Sequence, residues 1–394
     1  MSETTKQKKA ILVCTWDWYY YSHRRSISKM LLQAGYQVIL VTKVFSLREE
    51  IEADGVQIIE LPFSRPSLNP FREYQVTKQL KQIYQREKPD LVFHIAFKPV
   101  LYGSLAARKL AIPIQVNAIA GMGQLFLGQS LKIRLIRALV MFLLKWTFRN
   151  QCTRLIVQNN KDLKYLKDKL KISESRLFLI KGVGVDLNDF CPVEKPVRDK
   201  VVVTLVSRLI KEKGVLELVE SARILKKRNL EFEIRLVGDS DFESPQQVTK
   251  EQIAQWEVEG LVVWQGFQEN IQAVYAESDV AVLPSYSEGL PKSLMEACAC
   301  GLPIVTTNNS GCLEVVEDNF NGFIVPAKDA VSLANAIEKL IRDKQLRDAF
   351  GRRSREKSER EFELKAILKQ TAIACSLPVA TDDLAGLRAD VSWE

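Results

Sequence analysis

Two glutamates eight residues apart, Glu288 and Glu296, flank the run Gly-Leu-Pro-Lys-Ser-Leu-Met inside residues 281–307, AVLPSYSEGLPKSLMEACACGLPIVTT. Val280 to Leu283 is an apolar run ending at Pro284, as a buried parallel strand would. Ser285 to Leu290 is a polar turn, and Pro291 suits the first turn of a helix, where its missing N–H costs nothing. Gly301 and Pro303 stop that helix, and Ile304 to Thr307 starts the next strand. A helix start carries unpaired backbone N–H groups and a partial positive charge, an anion site suited to a diphosphate. Glu288 precedes that site, and at about 1.5 Å per residue Glu296 lies roughly 7 Å beyond Pro291. Two carboxylates so spaced suit a molecule with hydroxyls on both sides of a diphosphate, as a nucleotide sugar has. Taken alone, Glu288 also fits a loop charge, and Lys292 with Glu296 an exposed i, i+4 pair. The flanking strands, the proline and the glycine stop favour the site.

A second cluster sits upstream. Residues 202–225, VVTLVSRLIKEKGVLELVESARIL, read as strand, loop and helix, with Arg208 and Lys213 in the loop past the strand's carboxyl end. Arginine grips phosphate oxygens bidentately and lysine acts as a point charge, the neutralisation a departing nucleoside diphosphate needs. A basic surface loop before a helix-starting glycine is the plainer alternative. Gly238 follows the strand Glu-Ile-Arg-Leu-Val and lets a backbone approach a ligand closely.

The segment containing Glu288 and Glu296 resembles the E-x7-E signature of retaining glycosyltransferases of the GT-B type, in the large family 4 group, and is most similar to members acting on polyprenyl-diphosphate-linked glycans. Arg208, Lys213 and Gly214 match the family's R-x4-K-G element. The resemblance covers roughly Ile11 to Gln370 and implies two Rossmann-like doubly wound α/β domains facing across a cleft. It implies that Glu288 contacts the donor sugar near the reacting centre and that Glu296 binds the ribose. Gly289, Leu290, Ser293 and Leu294 then contact the donor, and Gly266 lies where the base is read. The implied donor is a nucleotide sugar, UDP-linked for preference, and the implied chemistry needs no cofactor. Asp239-Ser240-Asp241 mimics a metal-binding D-x-D, but it stands where the family has a turn, so no metal is assigned.

The other half carries the acceptor-side candidates. Residues 15–25, TWDWYYYSHRR, form the loop after the first strand, with His23 and Arg24, where many relatives have a glycine pair. His94 ends a later strand, and Lys98 close behind it suits an acceptor phosphate. Gly121 belongs to a Gly-Met-Gly loop that lacks the third glycine of a dinucleotide fingerprint. Either histidine also fits an ordinary structural role. Many relatives have a His-Gly pair where this chain has Ala120-Gly121, so no catalytic base is assigned. A GT-B UDP-sugar epimerase and a membrane-bound scaffold with a dead donor site are the alternative functions.

Charge and length bound the partners. A chain of 394 residues suits two α/β domains. The scattered seven cysteines include no C-x-x-C, which argues against a zinc site or disulfide framework and for a reducing cytosol. Residues 1–190 hold 30 Lys+Arg against 15 Asp+Glu, whereas residues 191–394 hold 26 against 33. The basic half calls for an anionic partner. Residues 131–149, LKIRLIRALVMFLLKWTFR, are too short in apolar run to span a bilayer. As a helix they present Arg134, Arg137, Lys145 and Arg149 on one stripe, with Leu135, Leu139, Val140, Phe142, Leu143 and Trp146 filling much of the rest, the composition of an in-plane interfacial helix. A buried core helix with solvated arginines is the alternative. No aromatic platform interleaves the lysines, so nucleic acid is not favoured. The expectation is a cytoplasmic protein held peripherally at the inner membrane face through Leu131–Arg149.

The expected domains are residues 1–190 for the acceptor, 191–360 for the nucleotide sugar, a returning helix at 361–378, and a poorly ordered tail at 379–394. Strands are expected at Ala10–Thr15, Gln37–Thr42, Leu91–Ile95, Ile114–Ile119, Leu155–Gln158, Val201–Val206, Glu233–Val237, Leu261–Gln265 and Val280–Leu283, and one long helical stretch at Ala330–Gln370.

Overall fold

The computed structural model of the chain describes residues 7–63, 70–120, 130–195, 198–240, 244 and 246–378. The chain divides into two compact units, residues 1–183 with 365–394, and residues 184–364. The tail beyond residue 378 lies outside the described residues.

The first unit is built on β1 Lys9–Trp16, β2 Gln37–Lys43, β3 Gln57–Glu60, β4 Leu91–Ile95, β5 Ile114–Ile119, β6 Thr153–Val157 and β7 Leu177–Leu179. They form one sheet in the order β3-β2-β1-β4-β5-β6-β7, parallel at every pairing. Both faces are covered, which is why the strands read as unbroken apolar runs. Ala10 and Leu12 face one way, against Ile27, Leu31 and Ile367 from helices Arg25–Gln33 and Leu364–Ala374. Ile11 and Val13 face the other, against Leu80, Ile83 and Tyr84 of helix Pro70–Glu87. The alternation is the strand period of two. Helix Leu364–Ala374 is tied into this unit by Arg154, whose guanidinium donates to the Ala374 carbonyl at 2.6 Å and the Ile373 carbonyl at 3.3 Å. A cation on the last carbonyls of a helix also complements its dipole.

The second unit contains β8 Val201–Val206, β9 Phe232–Val237, β10 Val263–Trp264, β11 Val280–Leu283, β12 Ile304–Thr307 and β13 Gly322–Val325. The order is β10-β9-β8-β11-β12-β13, again all parallel. In both sheets the winding reverses between two central neighbours, β1 and β4 in one, β8 and β11 in the other. Loops leaving such a pair go to opposite faces and open a crevice at the strands' carboxyl ends.

Two expectations change in detail. The stretch Ala330–Gln370 is three helices, Ala330–Arg342, Lys344–Glu361 and Leu364–Ala374. The first break comes at Asp343, whose carboxylate caps the second helix by accepting from the Leu346 amide at 2.9 Å. The strand expected at Leu261–Gln265 shrinks to Val263–Trp264.

His94 does not face a ligand. It is wholly buried, with Nε2 2.8 Å from the Tyr84 hydroxyl and Nδ1 2.7 Å from Asn117 Oδ1. Ser104 donates to the same Asn117 oxygen at 2.9 Å, and a Cβ on Gly103 would fall 2.3 Å from the imidazole. Among acceptor-side candidates His94 is therefore withdrawn: it is the centre of a closed polar network inside the sheet. Burial holds its imidazole well below the ordinary value, at about 4 against 6.5, although the bond to Asn117 Oδ1 works the other way. The folded chain keeps this ring neutral while the unfolded chain takes up a proton. Stability is thus full above about pH 6.5 and falls as pH drops toward 4, by up to about 3 kcal/mol. Urea titrations at several pH values should show this loss. His94→Gln should be less stable near neutrality yet lack this component of the slope, and an unchanged slope would assign the loss to other groups.

Candidate active site

The residues singled out in the second unit converge at the carboxyl ends of β8 and β11. The loop after β8 carries Arg208 and Lys213, and the loop after β11 carries Glu288. Because these strands are neighbours, the loops run side by side. The Glu212 carbonyl accepts from the Tyr286 amide at 2.9 Å and from the Ser285 hydroxyl at 3.1 Å. Gly214 makes this approach possible: its φ is +75°, and a Cβ there would sit 2.1 Å from the Pro284 carbonyl oxygen. The result is an ion pair between Lys213 Nζ and Glu288 Oε1 at 2.5 Å, with both side chains more than four-fifths buried. Arg208 is half-buried on the same loop.

Helix Lys292–Ala299 begins directly behind Glu288, with Pro291 as its N-cap. The Lys292 and Ser293 amides precede any helical carbonyl partner. Glu296 is only 5% exposed, and Lys292 Nζ lies 2.8 Å away. The i, i+4 pair exists, but it is not an exposed surface pair. Burial raises the Glu296 carboxyl pKa, and the Lys292 ammonium holds it down. Leu294 leaves the candidate set, because its side chain is 2% exposed and its amide donates to the Pro291 carbonyl at 3.2 Å. Gly289 and Leu290 lie in the half-buried turn before the helix. The Ser293 carbonyl accepts from the buried Tyr275 hydroxyl at 2.7 Å, which fixes the helix start from behind.

Gly238 and Gly266 also meet. The Gly238 amide donates to the Gly266 carbonyl at 2.7 Å, and Trp264 Nε1 donates to the Gly238 carbonyl at 2.9 Å. Asp239 is paired through its backbone, its carbonyl accepting from the Leu209 amide at 2.8 Å. Asp241 lies outside the described residues.

Sequence reasoning missed the residues that hold the Glu288 loop from the far side. The Ser285 carbonyl accepts from the Thr307 hydroxyl and from Asn309 Nδ2. Asn309 Oδ1 in turn accepts from the Cys312 amide at 3.1 Å, capping helix Ser310–Val315. At Gly311 a Cβ would meet the Gly289 carbonyl at 2.5 Å and the Glu288 carbonyl at 2.6 Å. The signal was Asn-Asn-Ser-Gly directly after a buried strand, a capped helix start with a glycine in its first turn.

In the first unit, His23 and Arg24 follow β1 and Lys98 follows β4, the two strands at its own reversal point. His23 is half-buried, with its ring stacked on Tyr19 at 4.6 Å and Nδ1 2.6 Å from the Ser22 hydroxyl. The segment expected as a loop is a short helix over Asp17–His23, and Asp17 at its start is wholly buried, its Oδ2 accepting from the amides of Phe45, Ser46 and Leu47 at 2.7, 3.0 and 3.2 Å. Lys98 pairs with Glu73 at 2.8 Å. Gly121 lies outside the described residues.

Comparison with known proteins places these elements in a family. Residues 190–357 match the model for glycosyl transferases group 1, and residues 9–159 the model for glycosyl transferase 4-like domains. The chain is 30% identical over 339 residues to the N,N'-diacetylbacillosaminyl-diphospho-undecaprenol alpha-1,3-N-acetylgalactosaminyltransferase of Campylobacter jejuni, covering 83% of this chain and 88% of that one. It is 28% identical to the Escherichia coli UDP-Gal:alpha-D-GlcNAc-diphosphoundecaprenol alpha-1,3-galactosyltransferase, over 74% of this chain and 77% of that one. Among solved structures, Anabaena Alr3699/HepE in complex with UDP and glucose superposes with a TM-score of 0.74 at 18% identity, over 94% of this chain and all of that one.

The glycine that backs the Glu288 loop offers a direct test of how the site is held. Gly311→Ala should cost about 1–3 kcal/mol by forcing a methyl against two carbonyls. It should also speed amide exchange across residues 285–290, measured by mass spectrometry. A variant as stable as the parent, with unchanged exchange there, would show that the contact does not hold the loop.

Proposed function

The chain belongs to the group 1 glycosyl transferases and is a retaining glycosyltransferase of GT-B fold, and from that premise we propose that it moves a hexose or N-acetylhexosamine from a UDP-sugar to a lipid-diphosphate-linked glycan at the cytosolic membrane surface. The acceptor class is suggested by the two bacterial relatives, whose names specify diphospho-undecaprenol acceptors. The observation that carries the donor reading is the Lys213–Glu288 pair at 2.5 Å, which joins the basic loop to the acidic turn.

In this reading the diphosphate lies at the start of helix Lys292–Ala299, where Arg208 and Lys213 neutralise its charge with no metal assigned. The bond between the anomeric carbon and the departing phosphate oxygen breaks with both electrons on the phosphate. The acceptor hydroxyl attacks the same face of the sugar, and its proton passes to the departing phosphate oxygen. Configuration is retained, and no side chain need act as base. Glu288 steadies the sugar's hydroxyls and the positive charge developing at the ring. Glu296 accepts from the ribose hydroxyls, with Gly238, Gly266, Gly289, Leu290 and Ser293 lining the donor. His23, Arg24 and Lys98 remain on the acceptor side.

The membrane reading rests on helix Leu131–Thr147. Val140 and Leu144 pack inward, yet Leu131, Leu135, Leu139 and Phe142 are 58–75% exposed on the opposite face. Arg134 is exposed beside that stripe and Arg149 just beyond it. Residues 91–161 contain no Asp or Glu against ten Lys and Arg. An apolar stripe edged by cations in an acid-free stretch suits an anionic leaflet. Among the described residues no helix is long and apolar enough to cross a membrane.

Two experiments test these readings. Arg208→Ala and Glu288→Gln should each lower turnover of a UDP-sugar on membrane lipid extract by about 100-fold or more, and undiminished turnover in either removes that residue's role. Leu135→Glu with Phe142→Glu should cut cosedimentation with phosphatidylglycerol vesicles at least about tenfold, since burying each side chain is worth about 1.5–3 kcal/mol. Equal vesicle binding by the variant would reject this helix as the contact.

A further inference from the structure

Arg24 is the N-cap of helix Arg25–Gln33, and it is buried in an unusual way. The residue is 4% exposed, yet among the described residues its Nε and Nη2 have no hydrogen-bond partner. A buried guanidinium with two unpaired N–H positions is costly unless a partner arrives from outside, several kcal/mol in ordinary cases. Neighbouring Arg25 shows the contrast, since its guanidinium is spent on Asp54, with Nη2 at 2.7 Å from Oδ1.

Arg24 also lines a pocket. Its walls are His23, Arg24, Ser26 and Ile27 after β1, Gly182 and Val183 where the chain leaves this unit, and Ile367, Leu368 and Thr371 on the helix that returns to it. None of these nine residues is acidic, so the pocket supplies no counter-charge. The Thr371 hydroxyl is committed to the Ile367 carbonyl at 2.8 Å. The space is about 10 Å³, room for one oxygen atom. The first amides of helix Arg25–Gln33 and the Ser26 side chain stand at the same end, where the helix dipole is positive.

We propose that this pocket is an oxyanion subsite of the first unit, taking one oxygen of a phosphoryl group. That oxygen enters the pocket and accepts from Arg24 Nε and Nη2, while the remainder of the phosphoryl group stays at the mouth near Ser26. A guanidinium edge presents two parallel donors, the match for a phosphate oxygen pair or a single bifurcated oxygen. A water would fit the space but cannot neutralise the charge. The site is separate from the donor residues and does not depend on their assignment. Its phosphoryl group comes from a lipid diphosphate, an anionic lipid headgroup or a free phosphate, sources of one chemistry. Because the walls include both segments at which the chain crosses out of and into this unit, occupancy stiffens residues 180–183 and 365–371 together.

The test is hydrogen exchange on the full chain carrying Arg208→Ala, so that donor-site binding of diphosphate is weakened. The probes are inorganic diphosphate, equimolar phosphatidylglycerol–phosphatidylcholine vesicles, phosphatidylcholine vesicles and acetate. At about ten times the dissociation constant, peptides over residues 23–27, 180–183 and 365–371 should slow about tenfold. Protection by diphosphate supports a soluble or diphosphate source. Protection by the phosphatidylglycerol vesicles alone supports a headgroup source. Arg24→Gln should weaken the effect about tenfold or more, and Arg24→Lys should recover part of it. Thr371→Ile fills the pocket while keeping Arg24, and should abolish protection even where Arg24→Gln folds poorly. No protection of these peptides by any phosphoryl probe, or equal protection in Thr371→Ile, overturns the proposal and leaves the pocket to water. That outcome is independent of turnover in the Arg208 and Glu288 variants, so failure here and failure of the donor reading are told apart.

Discussion

The second unit depends on how closely two backbone loops can approach. The loop after β8 and the loop after β11 touch at Gly214 and Pro284, at a separation no side chain would allow. That contact lets the Glu212 carbonyl collect two donors from residues 285 and 286. It thereby sets Lys213 and Glu288 against each other from positions 75 residues apart in sequence. The parallel sheet supplies the adjacency, because β8 and β11 are neighbours at the reversal of winding. The glycine supplies the last few ångströms. A wider spacing would leave a lysine and a glutamate each mostly buried and unpaired, which is costly for both.

The two glutamates of the motif then differ in kind. Glu288 sits on a turn and meets a lysine from another loop. Glu296 is inside a helix, almost fully buried, and its partner Lys292 is one turn back on the same helix. Burial raises the Glu296 carboxyl pKa in spite of the opposing lysine, whereas Glu288 is held by its ion pair across the two loops. A ligand that takes over Lys213 changes what Glu288 faces, whereas Glu296 is 5% exposed behind a helix start fixed by Tyr275. This asymmetry fits a site where one end of the ligand reacts and the other is only held.

Much of this was legible in the chain itself. Buried parallel strands are apolar throughout and are punctuated by glycine and proline, so the second sheet could be read from 281–307 and 202–225 outward, and the first from the apolar runs at Ala10–Thr15, Gln37–Thr42, Leu91–Ile95, Ile114–Ile119 and Leu155–Gln158. What escaped has common causes. Gln57–Glu60 and Leu177–Leu179 are short strands at the sheet's two edges, too brief for a period to stand out, and the first has polar ends. Gly322–Val325 begins with the residue that usually ends an element. His94, at a strand end just before Lys98, fits in sequence either an acceptor-side role or the structural one it has. Its partners Tyr84 and Asn117, and Ser104 behind Asn117, come from three other elements, and no local pattern announces them. Gly311 and Asn309 support the Glu288 loop from the next strand's connection, a dependence that only the sheet order reveals.

The first unit places its charges by a different rule. The pairs Arg25 with Asp54, Lys9 with Glu87 and Lys98 with Glu73 draw on acids from residues 90 and earlier, and Lys167 pairs with Glu174 beyond the acid-free interval. Past Asp90 the sequence offers no carboxylate until Asp162. Cations in that interval therefore have no carboxylate of their own stretch to pair with, and Arg134 on helix Leu131–Thr147 is exposed beside uncovered leucines. Burying such a stripe inside the unit would strand the arginines in apolar surroundings, and covering it with protein would need a partner supplying acids. A surface that is apolar in the middle and anionic at its edge satisfies both demands together, which a bilayer leaflet does without any shape complementarity at all.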